Sequence, residues 1–206
     1  MAANAIINTS LFTDANLISY YQLENTADSK GSNTLTNNGT TPFNAAKFSN
    51  GADGGTGNTT KWLSSTAQMS ATATSACTIM GWVNITDTLS GADLEKTAIS
   101  LRAGASGAAA FGRLIQIQRV SSVNTFCGSF YGGTQVKVVS TTTPIAGTWY
   151  HVAITDDGSA AIKLFINGTA EGGTGTRINT TSAWNLGCSI LERDLDQRFP
   201  GLVDDV

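Results

Sequence analysis

The chain has 206 residues, a formal net charge of −3 and a pI near 5.0, with 41% hydrophobic and only 13% charged residues. This excludes a disordered segment, which lacks apolar surface to bury, and a general phosphate-backbone binder, whose Lys and Arg would cluster; no nucleic-acid partner is expected. The length supports a substantial core without disulfides or metal, and 22 Gly and 3 Pro among many Thr, Ser and Asn read as strands joined by tight turns.

In chain order, residues 1–7 have no basic start and no continuous apolar run, so no signal peptide is expected, and nothing later is long and apolar enough to insert in a membrane. Leu17-Ile18-Ser19-Tyr20-Tyr21-Gln22-Leu23-Glu24 reads as a strand, followed by the loop Asp28-Ser29-Lys30-Gly31-Ser32-Asn33. The Asn, Thr and Gly-rich stretches 33–41 and 51–60 read as loops or twisted edge hairpins, and 104–110 as a loop. Cys77-Thr78-Ile79-Met80-Gly81-Trp82-Val83 reads as an inner strand. Trp149 to Thr155 and Ile162 to Ile166 are β-branched and aromatic runs joined through Asp156-Asp157-Gly158-Ser159, with Asn167-Gly168 as a second turn. So short a connection makes that pair antiparallel. Leu23, Ile79, Trp82, Val83, Ile115, Ile117, Val152, Ile154, Leu164 and Ile166 are expected to face inward.

The stretch Trp149-Tyr150-His151-Val152-Ala153, then Asp157-Gly158, then Leu164-Phe165-Ile166-Asn167-Gly168 resembles the W-x-H-V-A…D-G…L-x-I-N-G motif of the laminin G-like, concanavalin A-like jelly rolls. Four further pieces occur in the family's order: the Asp28 loop, Lys47-Phe48-Ser49-Asn50-Gly51-Ala52, the strand at Cys77, and Phe199-Pro200-Gly201-Leu202-Val203-Asp204-Asp205-Val206. The resemblance implies an all-β, antiparallel β-sandwich of about a dozen strands, read as one domain over residues 1–206 that ends inside its last strand. An edge cut short there would be a contact surface, completed by a neighbouring subunit or by residues beyond this sequence. Such domains usually work outside the cell. Without a signal peptide, the chain would be a fragment, leave by another route, or be a structural protein of a virus particle, and the last is favoured by the initiating Met and unpaired cysteines.

Catalytic constellations are sparse. Glu192, Asp194 and Asp196 at i, i+2, i+4 would share one face of a strand, similar to the E-x-D-x-E arrangement of jelly-roll glucanases, but Asp shortens the third reach and no aromatic flanks the stretch. A solvated charged turn is the preferred reading, with a glycoside hydrolase the rival. His151 is the sole histidine and reads as structural, with a ring nitrogen bonded to backbone. Cys77, Cys127 and Cys188 read as small buried apolar groups, with a Cys77–Cys127 bridge open only if their strands are neighbours.

Two binding expectations remain. Asp28, Asn33 and Asp204 carry oxygen donors of the kind calcium takes, and the resemblance implies that the early loop and the late strand adjoin. Strand parity puts Leu202 and Val206 on the face of Asp204, so the acid sits among apolar neighbours and needs a partner. The alternative is that Asp204 caps loop amides or pairs with a base. Tyr131, Trp62 and Trp184 are the candidate sugar-stacking aromatics, Tyr131 being the one expected to be exposed. The expected function is non-catalytic recognition of glycans or a surface protein, displayed on a virion or cell surface. The rival from another class is a structural or decoration protein that grips neighbouring subunits.

Overall fold

The computed structural model describes residues 12–65, 76–87, 89–90, 95–103, 111–131, 135–176, 186–192 and 197–206. Its elements are β1 (Thr36–Asn38), β2 (Phe43–Ala45), β3 (Asn50–Asp53), β4 (Trp62–Ser65), β5 (Cys77–Ile85), β6 (Glu95–Ala103), β7 (Phe111–Val120), β8 (Val123–Tyr131), β9 (Gln135–Val139), β10 (Trp149–Asp156), β11 (Ala161–Ile166), β12 (Thr169–Thr176), β13 (Leu186–Ile190) and β14 (Gly201–Asp204). They form two seven-stranded antiparallel sheets, ordered β1-β4-β13-β6-β7-β8-β9 and β12-β11-β10-β5-β14-β3-β2.

The β10–β11 hairpin shows how local chemistry sets the register. Asp157 Oδ1 accepts the N–H groups of Ser159, Ala160 and Ala161 at 2.8, 2.8 and 2.9 Å, and Gly158 takes φ 78°, so the turn closes and Ile154 falls opposite Leu164. At the next turn Asn167 and Gly168 have φ 50° and 82°, the doubly left-handed pair that two-residue hairpins favour. The Asn167 side-chain oxygen also accepts the His151 N–H at 2.9 Å.

Alternation then builds the core. Ile79, Val83 and Ile85 from β5, Val152 and Ile154 from β10, and Leu164 and Ile166 from β11 meet Ile99, Ile115, Ile117, Phe126 and Phe130 of the first sheet, all buried. Both seams of the sandwich are closed. On one side β1 and β2, end strands of opposite sheets, follow each other through residues 39–42. On the other, the Glu171 carboxylate of β12 accepts the N–H groups of Thr141 and Thr142 at 3.0 and 2.9 Å, beside β9. There Gly172 has φ +74°, and a Cβ on it would lie 2.1 Å from the Val139 carbonyl oxygen.

Several expectations change. Trp82 is not a core residue: Gly81 and Val83 point inward, and Trp82 lies on the outer face of its sheet, half-buried, opposite His151 and Asp204. β14 is not an edge strand, because it lies between β5 and β3. Val206, beyond it, exchanges both backbone hydrogen bonds with Tyr21, at 2.7 and 2.9 Å. Val206 does not share the face of Asp204 either: φ 46° at Asp205 breaks the alternation and turns Val206 onto the core. Cys77 and Cys127 lie in opposite sheets, and none of the three cysteines is in a disulfide. Burial pushes the Cys127 thiol up to about 12. The loop expected at 104–110 lies outside the described residues.

Candidate functional site

One pole of the sandwich gathers the β3–β4, β5–β6 and β13–β14 connections around a cavity of about 250 Å³, lined by Gly57, Asn58, Thr59, Asp87, Leu89, Ser90, Lys96, Arg198 and Pro200. Its walls are held by backbone chemistry. Asn58 Oδ1 accepts the Lys61 N–H at 2.9 Å, while its amide donates to the carbonyls of Lys61 at 2.9 Å and Phe199 at 3.2 Å. That side chain is therefore an internal brace. Thr86 N–H donates to the Pro200 carbonyl at 3.0 Å, and Arg119 Nη1 donates to the Leu89 carbonyl at 2.8 Å.

Arg198 is the joint of this pole. It forms a parallel bridge to Thr97, its Nη1 donates to the Thr59 carbonyl, and its Nη2 meets Glu192 Oε1 at 3.4 Å. The guanidinium lies 4.4 Å from the centroid of the Trp62 ring. Trp62 itself is half-buried and packs on the core edge, so the ring supports the cavity wall through Arg198. The arrangement combines hydroxyls, one exposed carboxylate at Asp87 and an ammonium at Lys96 over apolar Leu89 and Pro200. Small polar ligands with an apolar face are what such a lining recognises.

Of the three aromatics named from sequence, Tyr131 and Trp62 are not brought together. Tyr131 ends β8, a nine-residue strand whose other end, Val123, lies toward the cavity pole; at about 3.4 Å per residue that places Tyr131 roughly 27 Å away. Trp184 lies outside the described residues. Glu192 is not part of a solvated turn: it is fully buried against Arg198, because the chain after β13 folds under the pole, with Leu191 N–H on the Ala98 carbonyl and Phe199 N–H on the Leu191 carbonyl. Asp194 and Asp196 lie outside the described residues.

The carboxylate oxygens named for calcium, those of Asp28 and Asp204, are directed at N–H groups. Asp28 Oδ1 accepts from Tyr20, Lys30 and Gly31, each at 3.0 Å, and Oδ2 accepts from Asn33 N–H at 3.2 Å. Burial pulls this carboxyl up, but the backbone bonds outweigh it and hold it below the ordinary range. The Asn33 side-chain amide donates to Ser19 Oγ at 2.8 Å, and the Asn33 backbone carbonyl accepts the Tyr21 hydroxyl at 2.7 Å. Asp204, 1% exposed, accepts the N–H of Asp205 on Oδ1 at 2.9 Å and that of Phe48 on Oδ2 at 3.0 Å. Burial, helped by neighbouring Asp205, pushes it up to about 6. The early loop and the late strand do adjoin, since Tyr20 donates its hydroxyl to Asp205 Oδ1 at 2.7 Å. The donors suit a hard cation in kind, while as arranged the Asp28 and Asp204 carboxylates cap backbone amides; no group of three acid, His or Cys side chains converges among the described residues.

Sequence reasoning missed the aromatic cluster on the outer face of the second sheet. Trp82 is met edge-on by Phe48 and by His151, at 5.8 and 5.4 Å between ring centroids, and carries Lys47 Nζ 4.4 Å from its own. The His151 ring thus packs on an aromatic, and burial holds its pKa below the usual value. Strict alternation of β5 with Gly81 inward was the signal that would have placed Trp82 outside. Arg198 was missed as well, for its role depends on Thr59, 139 residues away in sequence.

No curated protein matches the chain. Among solved structures, domain 4 of AbnA, a GH43 extracellular arabinanase from Geobacillus stearothermophilus, in complex with arabinotriose, is similar at 18% identity and TM-score 0.67, over 92% of this chain and 90% of that one. The botulinum neurotoxin serotype G binding domain is similar at 14% identity and TM-score 0.66, over 92% of this chain but 46% of its own. A botulinum neurotoxin type C structure, described as dependent on two ganglioside molecules for cell entry, gives 16% identity and TM-score 0.65, over 96% and 48%. This chain thus spans about half the length of those toxin domains, and at such identities the likeness is one of fold. Residues 53–206 match the Laminin_G_3 family model; with two antiparallel sheets in the jelly-roll arrangement, the chain belongs to the concanavalin A-like lectin/glucanase superfamily.

Proposed function

We propose that this protein is a carbohydrate-recognition domain that binds a short or terminal saccharide at the Arg198 pole, without catalysis. The observation that carries the reading is the cavity of about 250 Å³, whose lining sets Asp87, Ser90, Thr59 and Lys96 against Leu89 and Pro200. Ligand pockets run from about 300 to 1,000 Å³, so a cavity just below that range suits one or two sugar rings. Support also comes from the similar folds described with arabinotriose and gangliosides. Burial of Glu192 beneath Arg198 argues against the carboxylate pair that glycoside hydrolysis requires. Display on a cell or virion surface is the setting we propose for this activity.

A second reading, a structural protein contacting neighbouring subunits, draws on exposed aliphatic residues. Val120 and Val123 flank the tip of the β7–β8 hairpin at 48% and 50% exposure, and Ile145 is 63% exposed. A glycan array probed with the full chain, followed by Ser90→Ala and Lys96→Ala variants, tests the first reading: binding lost in the variants is expected. Absence of binding to every sugar, together with concentration-dependent assembly in sedimentation, favours the second.

A further inference from the structure

Resting on the carbohydrate reading of the cavity, we infer that its ligand is a neutral sugar whose hydroxyls donate to Asp87, and that acidic sugars are disfavoured there. The cation one would assign to a sugar carboxylate is Arg198, but its guanidinium is already engaged. Nη2 faces Glu192, Nη1 donates to the Thr59 carbonyl, Trp62 covers a face, and the side chain is 6% exposed. A bidentate grip on a carboxylate needs two parallel N–H groups presented together, and here those groups point into the protein. Glu192 also offsets the charge of Arg198 where water is excluded.

Among the described residues of the lining, the other two charges are Lys96 and Asp87, one of each sign. With the buried pair neutral, the described lining has no net positive charge to attract an anion, and the chain as a whole carries −3. Asp87 is the exposed member. An ionised carboxylate only accepts hydrogen bonds, so it suits the hydroxyl pairs of a neutral sugar and repels a sugar acid. Asn58, the lining amide that would otherwise accept hydroxyls, is occupied by Lys61 and Phe199. Leu89 and Pro200 leave an apolar patch for the C–H face of the ring.

The test titrates the full chain, by calorimetry or ligand-observed NMR, with arabinotriose as the neutral probe and N-acetylneuraminic acid as the acidic one. The expected result is that arabinotriose binds at least tenfold more tightly and that its affinity is unchanged between about 0.05 and 0.5 M salt, as contacts without net charge require. Asp87→Asn should weaken the neutral sugar at least fivefold and narrow the gap to the acid. Tighter binding of N-acetylneuraminic acid, weakening with salt, overturns the inference and leaves carbohydrate recognition standing. Arabinotriose affinity indifferent to Asp87→Asn overturns it too, by placing the sugar elsewhere. If neither probe binds and a wider glycan array is also blank, both readings fall.

Discussion

Two buried ion pairs of the same chemistry stand at different places in this sandwich. Arg113 of β7 and Asp156 of β10 join the two sheets through the core, with Nη2 and Nε at 2.8 and 3.0 Å from Asp156 Oδ2 and both side chains essentially inaccessible. Phe130 packs beside the guanidinium, and Asp156 Oδ1 takes the Gly158 N–H at 2.9 Å, tying the pair to the β10–β11 turn. The Glu192–Arg198 pair, by contrast, sits at 3.4 Å under the cavity wall, with Arg198 stacked on Trp62. The first pair is a two-toothed clamp on one carboxylate oxygen, fully buried beside the Phe130 ring. The second is looser and shared with a carbonyl from another loop. Burial alone therefore does not tell a structural charge from one that shapes a site; what borders the pair does.

That contrast can be broken most sharply at the clamp. Arg113→Met leaves Asp156 charged without its partner in the core and is expected to cost about 3–5 kcal/mol, whereas the double variant Arg113→Met/Asp156→Leu should recover much of the loss. Urea denaturation of the three proteins measures this, and sugar affinity should not change in any that folds. A double variant no better than the single one would mean that the pair contributes more than its desolvation cost.

A smaller stability effect and a larger binding effect are expected at the second pair. Arg198→Lys keeps a charge but loses the planar fork and the stack on Trp62, which cation–π contact is worth about 0.5–2 kcal/mol. The expected outcome is a sugar affinity reduced at least tenfold, measured by calorimetry, beside a modest fall in melting temperature. Unchanged affinity would separate Arg198 from the site.

Asp204 supplies a pH-dependent effect. Its folded carboxyl titrates near 6, above the ordinary value near 4, so between those two pH values the folded state holds the extra proton. Its contribution is full below about pH 4 and is lost as pH rises through 6. Asp204→Asn should therefore remove a downward slope in stability across that window, read from melting temperatures at pH 4 to 7. An unchanged slope would assign the titration to another group.

The smallest expected effect is that of metal. Because Asp28 and Asp204 already accept backbone N–H groups, melting temperatures in EDTA and in millimolar calcium should agree. A ligand at a hundredfold excess over Kd would add about 2.7 kcal/mol, so a rise of several degrees with calcium would support the site expected from the sequence.

Much of this was written locally in the chain. The β10–β11 hairpin, its Asp157 turn and the Asn167-Gly168 turn follow from β-branched alternation and left-handed-tolerant residues, all within twenty residues of each other. Nine of the ten residues expected to face inward are buried, eight of them in strands where side-chain alternation is a property of the strand alone; Leu23, at φ 59° outside any strand, is placed by tertiary contacts. The adjacency of the first Asp loop and the last strand was implied by family resemblance and is realised through Tyr20 and Asp205.

What tertiary structure decided lies wherever distant segments converge. No spacing in the sequence announces that Thr59, Glu192, Trp62 and Arg198 form one joint, because Thr59 and Trp62 come from the β3–β4 region and Glu192 and Arg198 from the β13–β14 connection, and the two segments meet only in the folded chain. Nor does parity reveal that Asp205 leaves the extended region, which depends on Val206 finding Tyr21 and the core. Hydrophobic pattern fixes which way a strand faces; the loops at its ends, which hold the charges and the cavity, are positioned by contacts made across more than a hundred residues.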